Sequence, residues 1–334
     1  MPQAFNIPAA WRGKELLNRD DWQLVFDESA VAELDAALES AHGLKLEDIS
    51  AANFKLPSLS EKLLAIQHSL EHGSGAVMLR GLPIERYGEE QAARLFWGLT
   101  SHIGTAVSQS PAGERIFHVR DEGYSENDPK ARGPSSRKKL SYHTDRCDVI
   151  SFLCVRQAAS GGENYLVSSV AIYNAMLQQR PDLVEVLMQP YRYQRHNVDT
   201  GNELPYYEQP IFSIHEGHFA ANLLRVLIER AYSVPGATPM SDLQREALDY
   251  IEQLADDPSL HVSFRQQAGD VVFLNNWVTL HRRSEFVDHT NPDRKRLLLR
   301  IWLSVPNSRP LDPRFAGSYG TTQAGAIRGG MRPA

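Results

Sequence analysis

Residues 141–155 read SYHTDRCDVISFLCV, a stretch that combines a strand signal with two candidate metal ligands. The run 149–155 is apolar and rich in β-branched and aromatic residues, which is typical of a buried strand. Just before this run, His143 and Asp145 are two residues apart, so extended backbone directs both side chains to one face. An imidazole and a carboxylate then converge on one point. By itself this His-x-Asp pair is a weak signal, because such pairs also occur on protein surfaces.

Strand signals dominate the chain after this stretch, and helical periodicity interrupts them only at 168–179 and 241–256. The further strands that we predict are 165–167, 271–280 and 296–305, with a loop at 282–293. Short strands joined by turns, without regular alternation of strands and helices, predict a mainly β fold with helices, an antiparallel barrel or jelly roll.

The first third of the chain predicts helices that lead into one strand. Apolar residues recur at spacings of three and four in 29–41, 58–72 and 89–103, and 76–79 is a short apolar strand. Residues 122–139 are polar and rich in Gly, Pro and Ser, and loops of this length are commonly lids or binding segments.

We expect a single domain over residues 1–334. Its parts are a helical N-terminal part at 1–75, a jelly-roll core with insertions at 76–305 and a C-terminal tail at 306–334. The sequence leaves open whether the tail is disordered or packs over the barrel.

The charge balance of the chain bears on which binding partners are expected. The 334 residues include 35 Lys and Arg against 41 Asp and Glu, a formal charge of −6. This balance argues against a generic binder of nucleic acid or of anionic membranes, because both need a basic surface. We expect a cytoplasmic protein, since no apolar run could span a membrane and the first 17 residues lack a signal-peptide core. The two cysteines, Cys147 and Cys154, exclude a disulfide scaffold.

A second segment, NNWVTLH at 275–281, strengthens the metal hypothesis. It resembles a strand that ends in His281, 138 residues after His143. Two histidines and a carboxylate on barrel strands form the facial triad of non-haem Fe(II) oxygenases, which leaves three positions open on the metal. Zinc could use the same three ligands with a bound water, so the ligand set alone does not name the metal.

The segment RLLLRIW at 296–302 predicts a strand with two inward arginines. A period of two puts Arg296 and Arg300 on one face, together with Leu298 and Trp302, and puts Leu297, Leu299 and Ile301 on the other. Burial of a guanidinium without a partner is costly, so an anionic ligand such as a dicarboxylate is the natural explanation. The alternative is that these arginines pair with internal acids, namely Asp148, Asp270 or Asp288.

Together these segments resemble the Fe(II)/2-oxoglutarate dioxygenases of the taurine dioxygenase, 2,4-dichlorophenoxyacetate dioxygenase (TauD/TfdA) and clavaminate synthase-like family. The likeness extends from about residue 76 to 303 and depends on His143-Thr144-Asp145, Gly161-Gly162-Glu163, Gly269-Asp270 and the stretch from Asn275 through His281 to Arg296 and Arg300. The ordered set is far more specific than any one of these motifs.

The resemblance implies a double-stranded β-helix core and a set of site residues. His143, Asp145 and His281 would hold Fe(II), and Arg296 would bind the distal carboxylate of 2-oxoglutarate. Arg300 matches the family arginine that meets an anionic group of the substrate or supports the co-substrate. Many relatives carry a threonine after the paired glycines, where this chain has Asn164, whose amide can donate the same hydrogen bond to the co-substrate.

The implied activity uses Fe(II), 2-oxoglutarate and O₂ to oxidise an unactivated C–H bond of a small anionic substrate, an amino or organic acid, with release of succinate and CO₂. Two alternatives stay open: a zinc hydrolase with the same triad, and a non-catalytic barrel-fold binding protein. The expected partner is a small molecule, with no nucleic acid or membrane, and the sequence leaves open a homo-oligomer.

Overall fold

The computed structural model describes residues 3–124, 133–195, 204–236 and 238–331. The helices are α1 (Glu28–Ser40), α2 (Ser60–His72), α3 (Glu89–Ser101), α4 (Ser169–Gln179), α5 (Pro181–Leu187), α6 (Arg225–Tyr232), α7 (Asp242–Ala255) and α8 (Ala316–Tyr319). Within these described ranges, every helix is too short or too polar to cross a bilayer.

The strands fall into one large sheet, one small sheet and several hairpins. They are β1 (Gln23–Val25), β2 (Ala76–Arg80), β3 (Thr105–Val107), β4 (Ile116–Val119), β5 (Val149–Arg156), β6 (Ser160–Gly161), β7 (Asn164–Ser168), β8 (Tyr191–Gln194), β9 (Tyr206–Gln209), β10 (Phe212–His215), β11 (His218–Ala221), β12 (His261–Phe264), β13 (Val271–Asn275), β14 (Thr279–Arg283), β15 (Phe286–Val287) and β16 (Leu297–Ser304).

The large sheet has seven strands in the order β1-β2-β13-β5-β16-β3, with β4 also paired to β16. Its pairs are antiparallel except for β1 and β2, which are parallel. The small sheet has the antiparallel order β12-β7-β14. The strands β6 and β15, β8 and β9, and β10 and β11 form two-stranded pairs.

The two sheets face each other across an apolar interior. Ile150 and Trp302 of the large sheet belong to the same buried cluster as Leu166 and Val262 of the small sheet. Two further clusters cover the outer surfaces: α1, α2 and α3 pack on the large sheet, and α4, α5 and α7 pack beside the small sheet. Burial on both faces explains why the central strands are apolar almost throughout.

The side chains of strand β16 alternate between the outer and inner faces of the large sheet. Leu297, Leu299 and Ile301 point outward into the cluster with the N-terminal helices, whereas Leu298 and Trp302 belong to the inner clusters. The period of two predicts this alternation, and it places the intervening arginine inside the barrel.

The prediction of one strand over 271–280 is wrong, because the chain turns there and the two halves enter different sheets. The side chain of Asn275 causes the turn: its Oδ1 accepts a hydrogen bond from the backbone N of Trp277 at 2.8 Å. The hydroxyl of Thr279 donates to the carbonyl of Asn275, also at 2.8 Å. Asparagine favours such local turns over a continuing ladder. His281 therefore lies inside β14, and the predicted loop at 282–293 begins two residues too early.

The predicted loop at 122–139 falls partly outside the described residues, since 125–132 are not among them. Its last part lies against the barrel: the backbone N of Phe286 donates to the carbonyl of Arg137 at 3.1 Å, and that of Leu140 donates to the carbonyl of Arg283 at 3.0 Å.

The described part of the C-terminal tail packs on the barrel through two buried ion pairs. Arg328 donates to Asp148 at 2.7 Å, and Arg309 donates to Glu71 at 2.7 Å. Asp148 also accepts hydrogen bonds from Trp277 Nε1 and from the backbone N of Val305. The pairs therefore connect the tail to both sheets and to α2.

We predict that Arg328→Ala lowers the free energy of unfolding by about 3–5 kcal/mol, because the buried carboxylate of Asp148 loses its cation. The matched control is Arg180→Ala, which removes an exposed arginine that pairs with Asp182 and Glu246. Urea unfolding followed by circular dichroism measures both variants. Equal stability of Arg328→Ala and Arg180→Ala would show that the buried pair does not fix the tail.

Candidate metal centre and anion pocket

A backbone bridge brings the two candidate histidine ligands together. The N–H of His143 donates to the carbonyl of His281 at 3.0 Å, and the N–H of His281 donates back at 3.1 Å. The two imidazole rings then lie with their centroids 4.4 Å apart. Because β14 pairs with β7, the position of His281 is also fixed from its other edge.

Asn276 positions the third candidate ligand. Its Oδ1 accepts a hydrogen bond from the backbone N of Asp145 at 3.0 Å, and its Nδ2 donates to the carbonyl of Cys147 at 3.2 Å. Asn276 is buried. Asn276 belongs to the segment 275–281, but the residue pattern there did not predict a role for it. A second asparagine directly after a strand is a turn signal, and that signal could have identified the residue.

His143, Asp145 and His281 offer three ligand atoms that lie within 4.8 Å of one another. Nε2 of His281 is 3.5 Å from Oδ2 of Asp145. Nδ1 of His143 lies 2.9 Å from the carbonyl of Ser141, a contact that suits a proton on Nδ1 and leaves the Nε2 lone pair open. Oδ2 of Asp145 and Nδ1 of His281 are buried without a hydrogen-bond partner among the described residues. A cation at this point would satisfy the carboxylate, so the cluster fits a metal ion.

The protonation of the cluster also suits a cation. Burial and the neighbouring His281 lower the pKa of His143 to about 4. Burial alone would raise the pKa of Asp145, but the guanidinium of Arg300 and the two histidines outweigh it and hold this pKa well below its usual range. At neutral pH the carboxylate is therefore ionised and His143 is neutral, which are the forms that bind metals.

Arg300 lies beside the candidate metal ligands and has internal partners. Its Nε donates to Oε1 of Gln109 at 2.7 Å, and its Nη1 is 3.9 Å from Oδ1 of Asp145. The guanidinium also sits over the rings of Phe117 and Trp302 at 5.3 and 5.0 Å. Its burial alone therefore does not require an anionic substrate.

None of the three acids named as alternatives in the sequence analysis forms an ion pair with Arg296 or Arg300 among the described residues. Asp148 pairs with Arg328, and Asp270 lies 3.6 Å from Arg80. Asp288 accepts a hydrogen bond from the backbone N of Arg296 at 2.8 Å. The internal acid beside Arg300 is instead Asp145.

Arg296 is a buried cation with open hydrogen-bond capacity. Only 2% of the residue is exposed, and its Nε and Nη1 have no partner among the described residues. Burial lowers its pKa to about 10. Gly162, with φ of 74°, packs closely against this guanidinium, because a Cβ there would lie 3.4 Å from Nε of Arg296. A buried guanidinium with open donors fits an anionic group.

Arg283 is a second buried arginine of this region, and the sequence analysis did not select it. It is 5% exposed, and its guanidinium lies 4.7 Å from the centroid of the Phe286 ring, whereas that of Arg296 lies 4.9 Å from the same centroid. The signal was its position two residues after His281, which puts both side chains on one face of a strand.

Asn164 begins β7, and its Nδ2 donates to Oε1 of Gln266 at 3.2 Å. In the ladder it is opposite Arg283. The amide therefore lies in the same wall as the buried arginines.

One cavity of about 1290 Å³ connects the metal cluster to these groups, since His143, Asp145, His281, Asn164, Arg283, Arg296 and Arg300 all line it. The described lining contains nine arginine or lysine side chains and three carboxylates. The cavity is therefore cationic in a chain of net negative charge.

Comparison with known proteins also indicates a dioxygenase. A family model described as "Taurine catabolism dioxygenase TauD, TfdA family" matches residues 39–302. FR-33289 synthase of Streptomyces rubellomurinus is 31% identical over 307 residues, which cover 90% of each chain. The taurine hydroxylase-like protein SAT17 of Stachybotrys chartarum is 31% identical over 312 residues, covering 89% of this chain and 79% of that protein.

Solved structures share the fold at low sequence identity. An asparagine oxygenase in complex with Fe(II), 3-hydroxyasparagine and succinate superposes with a TM-score of 0.67 at 16% identity, covering 85% of this chain and 93% of the other. The non-haem iron oxygenase OrfP with Fe and alpha-ketoglutaric acid gives 0.63 at 15% identity, covering 91% and 99%.

Proposed function

The chain belongs to the TauD/TfdA family of Fe(II)- and 2-oxoglutarate-dependent dioxygenases, and on this premise we propose that His143, Asp145 and His281 bind its Fe(II). The observation that carries this assignment is the convergence of three ligand atoms within 4.8 Å, with Oδ2 of Asp145 buried and without a hydrogen-bond partner among the described residues. Two imidazoles and one carboxylate suit Fe(II) and leave coordination positions for co-substrate and O₂.

When bound, Fe(II) with 2-oxoglutarate and O₂ supplies the oxidising chemistry, and succinate and CO₂ are released. The residues around it hold and isolate the reactants. Arg300 keeps the carboxylate of Asp145 ionised. The rings of Phe117 and Trp302 cover the guanidinium of Arg300, and Phe152 lies with its ring centroid 6.0 Å from that of His281. These aromatic side chains limit the access of water to the proposed metal ligands.

Arg296 binds the distal carboxylate of 2-oxoglutarate in this proposal. The open Nε and Nη1 of the guanidinium are the donors that a carboxylate needs for a two-point contact. Arg296 lines the large cavity, from which the ligand would reach these donors. The amide of Asn164 lines the same cavity and is a further polar contact for the co-substrate.

The substrate that we propose is a small molecule with an anionic group, a carboxylate of an amino or organic acid. The excess of arginine and lysine in the cavity lining supports this charge. Arg300 lines the cavity beside Asp145 and is the residue that the anionic group would approach. Arg146 and Arg195 lie over the ring of Tyr207 in the same cavity, at 5.8 and 5.3 Å from its centroid. The solved relatives named above include one bound to 3-hydroxyasparagine, an amino acid.

We predict that His143→Ala and His281→Ala each bind Fe(II) below stoichiometry and lose turnover, while the far-ultraviolet circular dichroism of the protein is unchanged. Each variant removes one of three ligands, and the core does not depend on the metal. Anaerobic equilibrium dialysis with metal analysis measures the binding. His42→Ala, which changes an exposed histidine, is the control and keeps one Fe(II) per chain. Full Fe(II) occupancy in His281→Ala would contradict the assignment.

For Arg296→Gln, the concentration of 2-oxoglutarate at half-maximal succinate formation should rise by a factor of about thirty or more. Loss of a buried charged contact of this kind costs about 2–5 kcal/mol. Arg296→Lys should recover only part of the effect, because a point charge replaces the planar fork. Arg294→Gln, at an exposed position close by, serves as the control. An unchanged requirement for 2-oxoglutarate in Arg296→Gln would remove this residue from the co-substrate site.

The charge of the substrate can be tested with pairs of amino or organic acids and their primary amides. We expect substrate-stimulated succinate formation with at least one acid and a loss of most stimulation with the matched amide. Succinate formed without any substrate gives the background for both. If neutral members of the pairs stimulate as well as the acids, the proposed substrate class is wrong, while the metal assignment is unaffected.

A further inference from the structure

We propose that Arg283 is a second cation of the co-substrate pocket and binds, together with Arg296, the distal carboxylate of 2-oxoglutarate. This inference depends on the proposed role of Arg296 and extends it to a residue to which the family resemblance gave no role.

The first support is an open donor on a buried charge. Arg283 is 5% exposed, and its Nη1 has no hydrogen-bond partner among the described residues. Its Nε donates to the carbonyl of Ser284 at 3.1 Å, and its Nη2 donates to the carbonyls of Ser136 and Lys138. These partners are neutral, and no described carboxylate lies within ion-pair distance of the guanidinium. Asp121 is the one described acid whose charge raises the pKa of Arg283, and it does so by less than burial lowers this pKa. The buried charge therefore lacks a direct ion-pair partner among the described residues, which is costly.

The second support is the closeness of two like charges. Arg283 and Arg296 both contact the ring of Phe286, and the charge of Arg296 contributes to lowering the pKa of Arg283, after burial as the larger cause. Two buried guanidinium groups that repel each other are stabilised when one anion lies between them. Arg296 likewise has two open donor atoms. A carboxylate has enough acceptor sites to serve both side chains.

The neighbouring Arg282 differs from Arg283 in having a carboxylate partner, although its Nε also lacks a hydrogen-bond partner among the described residues. Arg282 points the other way along β14, where it pairs with Asp256 at 2.8 Å and lies over the rings of Tyr142 and Tyr165. The outward arginine thus has an acid of the chain as its partner. The inward arginine shares its face with His281, and within the described ranges it has no ion pair with an acid.

A purely structural role is the competing explanation, because Arg283 also holds the segment around Ser136 and Lys138 against β14. The two roles differ in the ligand atoms they affect. A structural role changes the binding of every 2-oxo acid alike. Contact with the distal carboxylate affects 2-oxoglutarate and leaves 2-oxopentanoate, which has the same carbon chain without that carboxylate, almost unchanged.

The test is calorimetric titration of anaerobic, Fe(II)-loaded protein with 2-oxoglutarate and with 2-oxopentanoate, in the absence of O₂ and of turnover. For Arg283→Gln we expect the dissociation constant of 2-oxoglutarate to rise about tenfold or more and that of 2-oxopentanoate to change less than about twofold. Arg283→Lys keeps the charge and should fall between this variant and the wild type. Arg294→Gln, a loss of charge at an exposed position outside the cavity lining, should bind both ligands as the wild type does.

An equal loss of affinity for both ligands, or no loss for either, overturns the role of Arg283. If Arg296→Gln weakens 2-oxoglutarate selectively while Arg283→Gln and Arg283→Lys do not, this inference fails and the proposed function stands. If Arg296→Gln also binds 2-oxoglutarate normally, the proposed co-substrate site fails with it. Should Arg283→Gln not fold, selective weakening in Arg283→Lys decides the question in the same way.

Discussion

Two reciprocal backbone hydrogen bonds between His143 and His281 hold the candidate centre together. They join parts of the chain that are 138 residues apart, and they exist only because β5 and β14 belong to opposite sheets of one barrel. Asn276 lies in the turn between the two sheets, and its side chain accepts the hydrogen bond that positions Asp145. Backbone and buried amide contacts of this kind fix ligands within a fraction of an ångström, which metal chemistry requires. The rest of the fold supplies the rigidity behind these contacts.

The distribution of charge is the second constraint. The chain carries a net charge of −6, yet the cavity beside the candidate centre is lined mainly by arginine and lysine. The buried acids elsewhere in the described structure have partners: Asp148 binds Arg328, and Glu71 binds Arg309. Inside the barrel the opposite holds. Arg296 and Arg283 are buried cations, and each has at least one donor atom without a hydrogen-bond partner among the described residues. Such a pocket favours a dicarboxylate, and a dicarboxylate is the co-substrate of this family.

Much of the fold and the residue types of the centre could be predicted from local patterns. The predicted family and the jelly-roll core are confirmed, and family membership favours the dioxygenase over the zinc hydrolase and the non-catalytic binding protein. Strand period alone placed Arg296 and Arg300 on one face. The turn at Asn275 was missed because a buried apolar run continues through it, and Arg283 because the strand containing His281 was ended too early. The anchoring of the tail depends on contacts between distant residues, which local patterns do not encode.

The most direct test of the account is the visible absorption spectrum of the anaerobic protein during titration with Fe(II) and 2-oxoglutarate. A 2-oxo acid chelated to Fe(II) absorbs visible light through metal-to-ligand charge transfer, and this requires both components in one site. We predict that the band appears only when both are present and saturates at one Fe(II) and one 2-oxoglutarate per chain. Absence of the band in protein that has bound Fe(II), or its persistence at full amplitude in Asp145→Ala, would contradict the proposed centre.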